Sequence, residues 1–350
     1  MSVTIKAVST EVPKNTRPTK DIIQLMDSWL EGQDDRFKRK VKKIFENAAV
    51  DRRYSIMKPE AVVTKTSFQE KNDIYKTEVI KLGTACLTKG LNKAGWQPAD
   101  IDYLITVSCT GIMIPSLDAF LINDLQMRQD VVRLPVTEMG CVAGISGMIY
   151  AKNFLKANPG KRAAVVAVEA PTATFQLDDY SMANVVSAAI FGDGAACVLM
   201  SSHENDTGPE VIAESMYHFY NAQHYMGFDL VNSGLKMVLD KEVPEHIAAH
   251  FGSIIHPFLK ENDCSIEDVA HLIFHPGGKK IVQTVESLFS EMGKDINDTK
   301  EVLRQFGNMS SATVLFVLER FLEREIPQND IGLMLSFGPG FTAQRLLLKW

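Results

Sequence analysis

The chain starts twice. The segment QPADIDYLITVSCTG returns as DCSIEDVAHLIFHPGG, with Leu104-Ile105 and Leu272-Ile273 in the same setting. MGCVAGISGMIYAKNF returns as FGNMSSATVLFVLERF, which sets Gly140-Cys141 against Gly307-Asn308. IFGDGAACVLM returns as SFGPGFTAQRLLL. Three paired segments in one order, two of them at nearly the same offset, predict a duplicated α/β unit. The halves divide near residue 205, giving 1–205 and 206–350. Cys141 and Asn308 each open an apolar helix in matching places, so a duplicated fold brings those two helix starts together.

The 350 residues are 45% hydrophobic and 23% charged, which supports a sizeable core and excludes a disordered or fibrous chain. A net charge of −6 argues against nucleic acid or an anionic membrane as partner. No apolar run reaches the ~20 residues of a spanning helix. The start, MSVTIKAVSTEVP, lacks the basic-then-apolar layout of a signal peptide, so a cytoplasmic protein is expected. Its five cysteines are scattered and form no CxxC pair, as expected of free thiols in a reducing compartment rather than a zinc site.

Apolar spacing predicts helices through the first ninety residues, among them DIIQLMDSWL, the basic stretch DRFKRKVKKIFENAAVDRRY and KTEVIKLGTACLTKGLNKAG. IDYLITVS is of strand length, and GCVAGISGMIYAKNFLKA is a helix that stops at Asn158-Pro159-Gly160. RAAVVAVEA hardly alternates and reads as a strand buried on both faces. AAIFGDGAACVLM reads as buried β with a glycine kink.

Three residues carry the chemistry. Cys141 lies at a strand-to-helix turn, where the helix's partial positive charge favours thiolate and is expected to lower the pKa below the free value of about 8.5. His275 ends an apolar strand before Pro276-Gly277-Gly278, where parallel sheets place their sites. Asn308 precedes a helix, a place where asparagine also serves as a simple cap. Thiol, imidazole and amide each stand at a junction of the repeated sheet. The order Cys, His, Asn also occurs in papain-like proteases, but in a different local pattern. Gly338-Pro339-Gly340-Phe341-Thr342-Ala343 matches GxGxxA, yet too few residues follow it for the rest of a dinucleotide unit.

EMGCVAG, IFGDGAA, HPGG, GNMSSAT and SFGPGF, in this order, resemble the thiolase superfamily and within it the type III polyketide synthases of chalcone-synthase type. The resemblance spans nearly the whole chain and implies a thiolase-like αβαβα five-layer fold of two similar halves. It implies iterative decarboxylative condensation of malonyl-CoA onto an acyl-CoA starter, then cyclisation to a pyrone, resorcinol or phloroglucinol. Chain-initiating ketoacyl carrier-protein synthases share the three residues but condense once; HPGG and the FGPGF ending favour the first class. Thiolase itself needs a second cysteine in CxGGG, absent here, and an inactive scaffold would be expected to lack one of the three.

Carried onto this chain, the resemblance makes Cys141 the acyl-accepting nucleophile, with His275 and Asn308 stabilising the malonyl-derived oxyanion and no metal or redox cofactor. Phe191 matches an aromatic gate between CoA tunnel and cavity, and Met237 falls where plant members carry a second phenylalanine. Ser310 and Thr174 fall at cavity-lining positions. Cys109 replaces a threonine of plant enzymes, which makes the chain bacterial in type. Lys40 and Lys43 match two of three CoA phosphate ligands, the third falling on Asn47. Members are homodimers, and Ile114 is the residue expected to pass into the partner's cavity.

Overall fold

A computed structural model describes residues 2–350. Nine strands form the main sheet: β1 (Thr4–Glu11), β2 (Tyr103–Val107), β3 (Val132–Val136), β4 (Arg162–Glu169), β5 (Gly194–Ser201), β6 (Glu210–His218), β7 (Val269–Phe274), β8 (Ile331–Gly338) and β9 (Thr342–Lys349). They lie in the order β7-β8-β9-β6-β1-β5-β4-β2-β3. The two halves meet at β1 and β6, where Thr4 pairs with Glu210. Outward from that seam each half repeats one pattern: first strand against last, antiparallel, then last against next-to-last, antiparallel, then a parallel pair. The duplication read from three sequence segments is therefore a duplication of topology. Only the first half adds a further edge strand, β3, parallel to β2.

Four helices build the layers around this sheet: α1 (Phe68–Ala94), α2 (Ala143–Ala157), α3 (Val243–Glu261) and α4 (Thr313–Leu322). In β4, Ala163, Val165 and Ala167 face a central core with α2 and α4, whereas Ala164, Val166 and Val168 face an outer core with α1. β9 divides likewise, with Leu346 and Leu348 turned to the central core and Ala343 and Leu347 to an outer core with α3. Each sheet half is thus covered on both faces, which is why its strands lack the polar alternation of a half-exposed strand. Helices outside, sheets next and helices at the centre make the expected five-layer thiolase-like fold. Among the described residues no helix is long and apolar enough to cross a membrane.

Two local expectations are corrected. The first ninety residues are not simply helical: Thr4–Glu11 forms β1 at the seam of the sheet, and Asn15–Pro18 pairs with Arg52–Ser55. Short β-branched stretches flanked by strong helical periodicity are outvoted locally, and here the strand is stabilised by non-local pairing with β5. Ala188-Ala189-Ile190, expected as β, ends the helix Met182–Ile190, and the strand begins only at Gly194.

The central helices touch through backbone. A Cβ placed on Gly144 would fall inside the shell of the Ser311 carbonyl oxygen, at the start of α4's segment. No side chain fits there, so a methyl forces the two helices apart. Gly144→Ala is expected to cost about 1–3 kcal/mol, as other overpacked sites do. It should lower the urea midpoint without changing the m-value; an unmoved midpoint would contradict this close approach.

Candidate active site

The site gathers at the carboxyl ends of the sheet strands, where α/β sheets bind ligands. Cys109 follows β2, Glu169 ends β4, His275 follows β7, and Pro339 follows β8. With Cys141 and Asn308, the ends carrying Cys109, His275 and Pro339 surround a pocket whose walls also include Ser310, Phe191, Met237 and Phe337.

Cys141 sits in a 3₁₀ turn, Gly140–Val142, that leads into α2. Gly140 has φ +56°, and a Cβ on it would lie 2.6 Å from Pro339 of the Gly-Pro-Gly-Phe turn. The EMGCVAG and FGPGF motifs are thus packed against each other, with the Ser336 hydroxyl donating to the Cys141 carbonyl at 2.9 Å. The Cys141 thiol donates to Ser310 Oγ at 3.7 Å, and Cys109 Sγ lies 3.6 Å from the same hydroxyl. Ser310 holds this bridging place with φ +48°.

The expected depression of the Cys141 pKa does not occur. Burial pushes the thiol up to about 12, only partly offset by the Ser310 hydrogen bond. The helix end is real, but its partial charge is outweighed by loss of water around the sulfur. His275 is buried as well, with its pKa pushed down to about 3 by desolvation. Neither ring nitrogen has a hydrogen-bond partner among the described residues. The resting site therefore holds a neutral thiol and a neutral imidazole.

Asn308 is oriented by its neighbours. Its Oδ1 accepts from the Ser310 amide at 2.8 Å, which leaves Nδ2 as the end able to donate, now 3.2 Å from the Gly277 carbonyl. Its backbone pairs with the segment carrying Phe191: Asn308 N–H donates to Ile190 O at 2.8 Å and Gly192 N–H to Asn308 O at 3.0 Å. The FGDG and GNMSS motifs from opposite halves are thus one structural unit.

Of the other expected residues, Phe191 and Met237 line this cavity and also a neighbouring one. Thr174 lies only in the neighbouring cavity and in a small cleft beside it, its hydroxyl held by the Pro171 carbonyl at 2.8 Å. It is not a wall of the cavity that holds Cys141. Lys40 and Lys43 are exposed on the helix Asp35–Glu46 and line neither cavity. Ile114 projects from its loop at 94% exposure.

Two buried acids escaped the sequence reading. The fully buried Glu169 carboxylate accepts from the Cys109 amide, Thr110 Oγ1 and Ser311 Oγ at 3.0, 2.9 and 2.6 Å. It ties the second thiol to the start of α4, and desolvation raises its pKa. The available signal was an acid closing a wholly apolar strand. Asp193 of FGDG accepts from the Ile56 and Thr172 amides at 2.8 and 3.0 Å, and burial pushes it up to about 7.

The pattern defines a condensing enzyme of the thiolase-like class: a thiol from one half facing an imidazole and an amide from the other. The profile for chalcone and stilbene synthases, N-terminal domain, matches residues 2–204, and that for the C-terminal domain matches residues 212–350. The chain is similar to 1,3,6,8-tetrahydroxynaphthalene synthase of Streptomyces peucetius subsp. caesius, 33% identical over 99% of this chain and 93% of that one. It is 30% identical to phloroglucinol synthase of Pseudomonas fluorescens over 88% of each chain. Among solved structures, 1,3,6,8-tetrahydroxynaphthalene synthase of Streptomyces coelicolor A3(2), a bacterial type III polyketide synthase, superposes with a TM-score of 0.93, covering 99% of each chain at 26% identity. The chain belongs to the chalcone and stilbene synthase family and is a type III polyketide synthase, an acyl-transferring condensing enzyme.

Asp193 gives a pH test of the FGDG brace. An acid whose folded pKa exceeds its unfolded value stabilises the fold when protonated, and that contribution is lost as pH rises from about 4 through about 7. Asp193→Asn is expected to flatten the fall in unfolding free energy over that window, by an amount on the order of a few kcal/mol relative to wild type. Identical pH slopes for the two proteins would contradict it.

Proposed function

We propose that Cys141, His275 and Asn308 carry the condensation, with the nucleophile supplied by residues 1–205 and the two oxyanion donors by residues 206–350. The observation that carries this reading is the fixed orientation of Asn308: its oxygen is taken by Ser310, so its NH₂, one N–H of which donates to the Gly277 carbonyl, is the end turned to the cavity that also holds His275 and Cys141. An amide donor opposite a neutral imidazole suits an oxyanion rather than a second proton transfer.

The steps follow. An acyl-CoA starter enters, the Cys141 proton passes to His275, and sulfur attacks the thioester carbonyl. Coenzyme A leaves as its thiol, taking the proton back, and the acyl group remains on Cys141. In a dry site neutral partners separate charge only when substrate is in place, in keeping with a thiol held far above its ordinary pKa. Malonyl-CoA then sets its thioester carbonyl oxygen between an imidazole N–H of His275 and Asn308 Nδ2. Loss of CO₂ puts negative charge on that oxygen, and the enolate carbon attacks the Cys141 thioester; the carbon–sulfur bond breaks, Cys141 leaves as thiolate, and the chain, two carbons longer, is carried on coenzyme A. For the next round the Cys141 thiolate takes the chain back and coenzyme A departs, its sulfur gaining a proton from solvent. No metal or redox step enters. Apolar Phe191 and Met237 disfavour the charged malonyl carboxylate and gate the cavity, while Cys109 and Ser310 shape it beside the thiol and Thr174 shapes the space beyond. Repetition and ring closure yield a pyrone, resorcinol or phloroglucinol-type product.

Lys40 and Lys43, exposed on one helix, are proposed to hold the CoA phosphates at the entrance. The exposure of Ile114, with Val132 of edge strand β3 at 48%, supports a homodimer in which Ile114 enters the partner's cavity. The enzyme is placed in the cytoplasm, where its CoA esters are made.

Cys141→Ala is expected to abolish acyl-enzyme formation, read as the loss of the added acyl mass on the intact protein, while its circular dichroism stays that of wild type. Retained acylation would refute the assignment. Asn308→Ala and His275→Gln should each slow malonyl-CoA decarboxylation by roughly 10²–10³-fold, followed as CO₂ release; an unchanged rate in either would remove that residue from the oxyanion role.

A further inference from the structure

The passage on the far side of Phe191 and Met237 from Cys141 has Phe45 in its wall. Phe45 belongs to the helix Asp35–Glu46, whose buried side also carries Val41. The opposite side of that helix is a block of charge. Six of the eight residues from Arg36 to Lys43 are basic, in a chain whose net charge is −6. Arg36, Arg39, Lys40 and Lys43 are all exposed and follow the spacing i, i+3, i+4, i+7, which puts them in one stripe. Beside the stripe Lys42 pairs with Asp27 at 2.7 Å. Among the described residues no carboxylate lies within ion-pair distance of the other four, and the helix's two acids, Asp35 and Glu46, stand at its ends.

Like charges at these spacings weaken a helix, and solubility asks for charge but not for one sign, so the stripe does not serve the fold. Coenzyme A leaves part of it unused. Lys40 and Lys43 are the residues proposed for its phosphates, whereas Arg36 and Arg39 carry the stripe toward the helix start, Arg36 standing about 13 Å along the axis from Phe45. The stripe therefore fits an anionic surface larger than one nucleotide. Helices that bind an anionic membrane also present apolar residues to it; here Val41 and Phe45 are buried, and Phe37 and Ile44 are half-buried against the protein. A nucleic acid would bring no thioester to a passage that leads to an acyl-accepting thiol. An acidic protein bearing its acyl group on a phosphopantetheine arm matches both the charge and the passage, because coenzyme A ends in the same arm.

We propose that the stripe of Arg36, Arg39, Lys40 and Lys43 docks an acidic acyl carrier protein, which hands a starter acyl group to Cys141 as coenzyme A does. This rests on the reading of Cys141 as the acyl acceptor. With the carrier on the helix, its phosphopantetheine enters the passage beside Phe45 and reaches the thiol past Phe191. The Cys141 sulfur attacks the carrier's thioester, and the bond between the acyl carbon and the pantetheine sulfur breaks. That sulfur leaves with the proton that Cys141 had passed to His275. Extension still draws on malonyl-CoA.

The test loads the intact enzyme from two donors of one acyl group: octanoyl-CoA, and the octanoyl thioester of a bacterial fatty-acid carrier protein. Acylation of Cys141 is read by intact-protein mass against time. Wild type should accept both. Arg36→Glu combined with Arg39→Glu should slow transfer from the carrier roughly ten- to hundredfold, as loss of charge-steered association does, and leave transfer from octanoyl-CoA within about twofold. Arg36→Lys combined with Arg39→Lys should keep both donors, since the stripe is read as charge. Refusal of the carrier-borne group by wild type, or an equal loss from both donors in the charge-reversed variant, overturns the proposal. So does binding to phosphatidylglycerol vesicles or to single-stranded RNA that the charge reversal removes while transfer from the carrier is unchanged. Failure of both donors to acylate Cys141, with calorimetry showing the carrier bound by wild type and not by the charge-reversed variant, would refute the nucleophile and not the docking surface.

Discussion

The close crossing of the two central helices is the constraint on which the rest depends. Gly144 of α2 lies against the Ser311 carbonyl, so the turn holding Cys141 and the turn holding Asn308 and Ser310 share one space. Each half alone would present a helix start with an unpaired apolar face. Together they bury those faces in a common core and leave a cavity at the strand ends. The repeat is thus the means by which chemistry is divided, because a symmetric frame carries different residues at equivalent places.

Burial sets the chemistry of that cavity. Removing water raises the Cys141 thiol and lowers the His275 imidazole, and the neutral pair costs less to bury than an ion pair would. The same dryness strengthens any hydrogen bond to charge developing in the reaction. Asn308 is held for that task by backbone contacts from FGDG and by Ser310, and Glu169 ties the neighbouring thiol's strand end to α4 through Ser311. Rigidity here comes from satisfied polar groups inside an apolar frame.

Much of this was legible in the sequence, for identifiable reasons. Three paired segments disclosed the duplicated frame and with it the meeting of the two helix starts, now seen where Gly144 lies against the Ser311 carbonyl. Cys141, His275 and Asn308 stood at junctions where such sheets place their sites. β1 was hidden because its stability comes from pairing with β5, far along the chain. The charge state of Cys141 was misread because a helix end is visible in sequence and desolvation is not. Thr174 lines the adjoining space that shares Phe191 with the cavity of Cys141, a division that no sequence motif discloses. Glu169 is a polar residue whose importance appears only when burial and its several partners are known.

The most direct test of the central claim is mass spectrometry of the products formed by the pure enzyme from malonyl-CoA and a panel of acyl-CoA starters, with no carrier protein present. The account predicts cyclised products carrying two or more acetate units beyond the starter. A single condensation that requires malonyl carrier protein would contradict it.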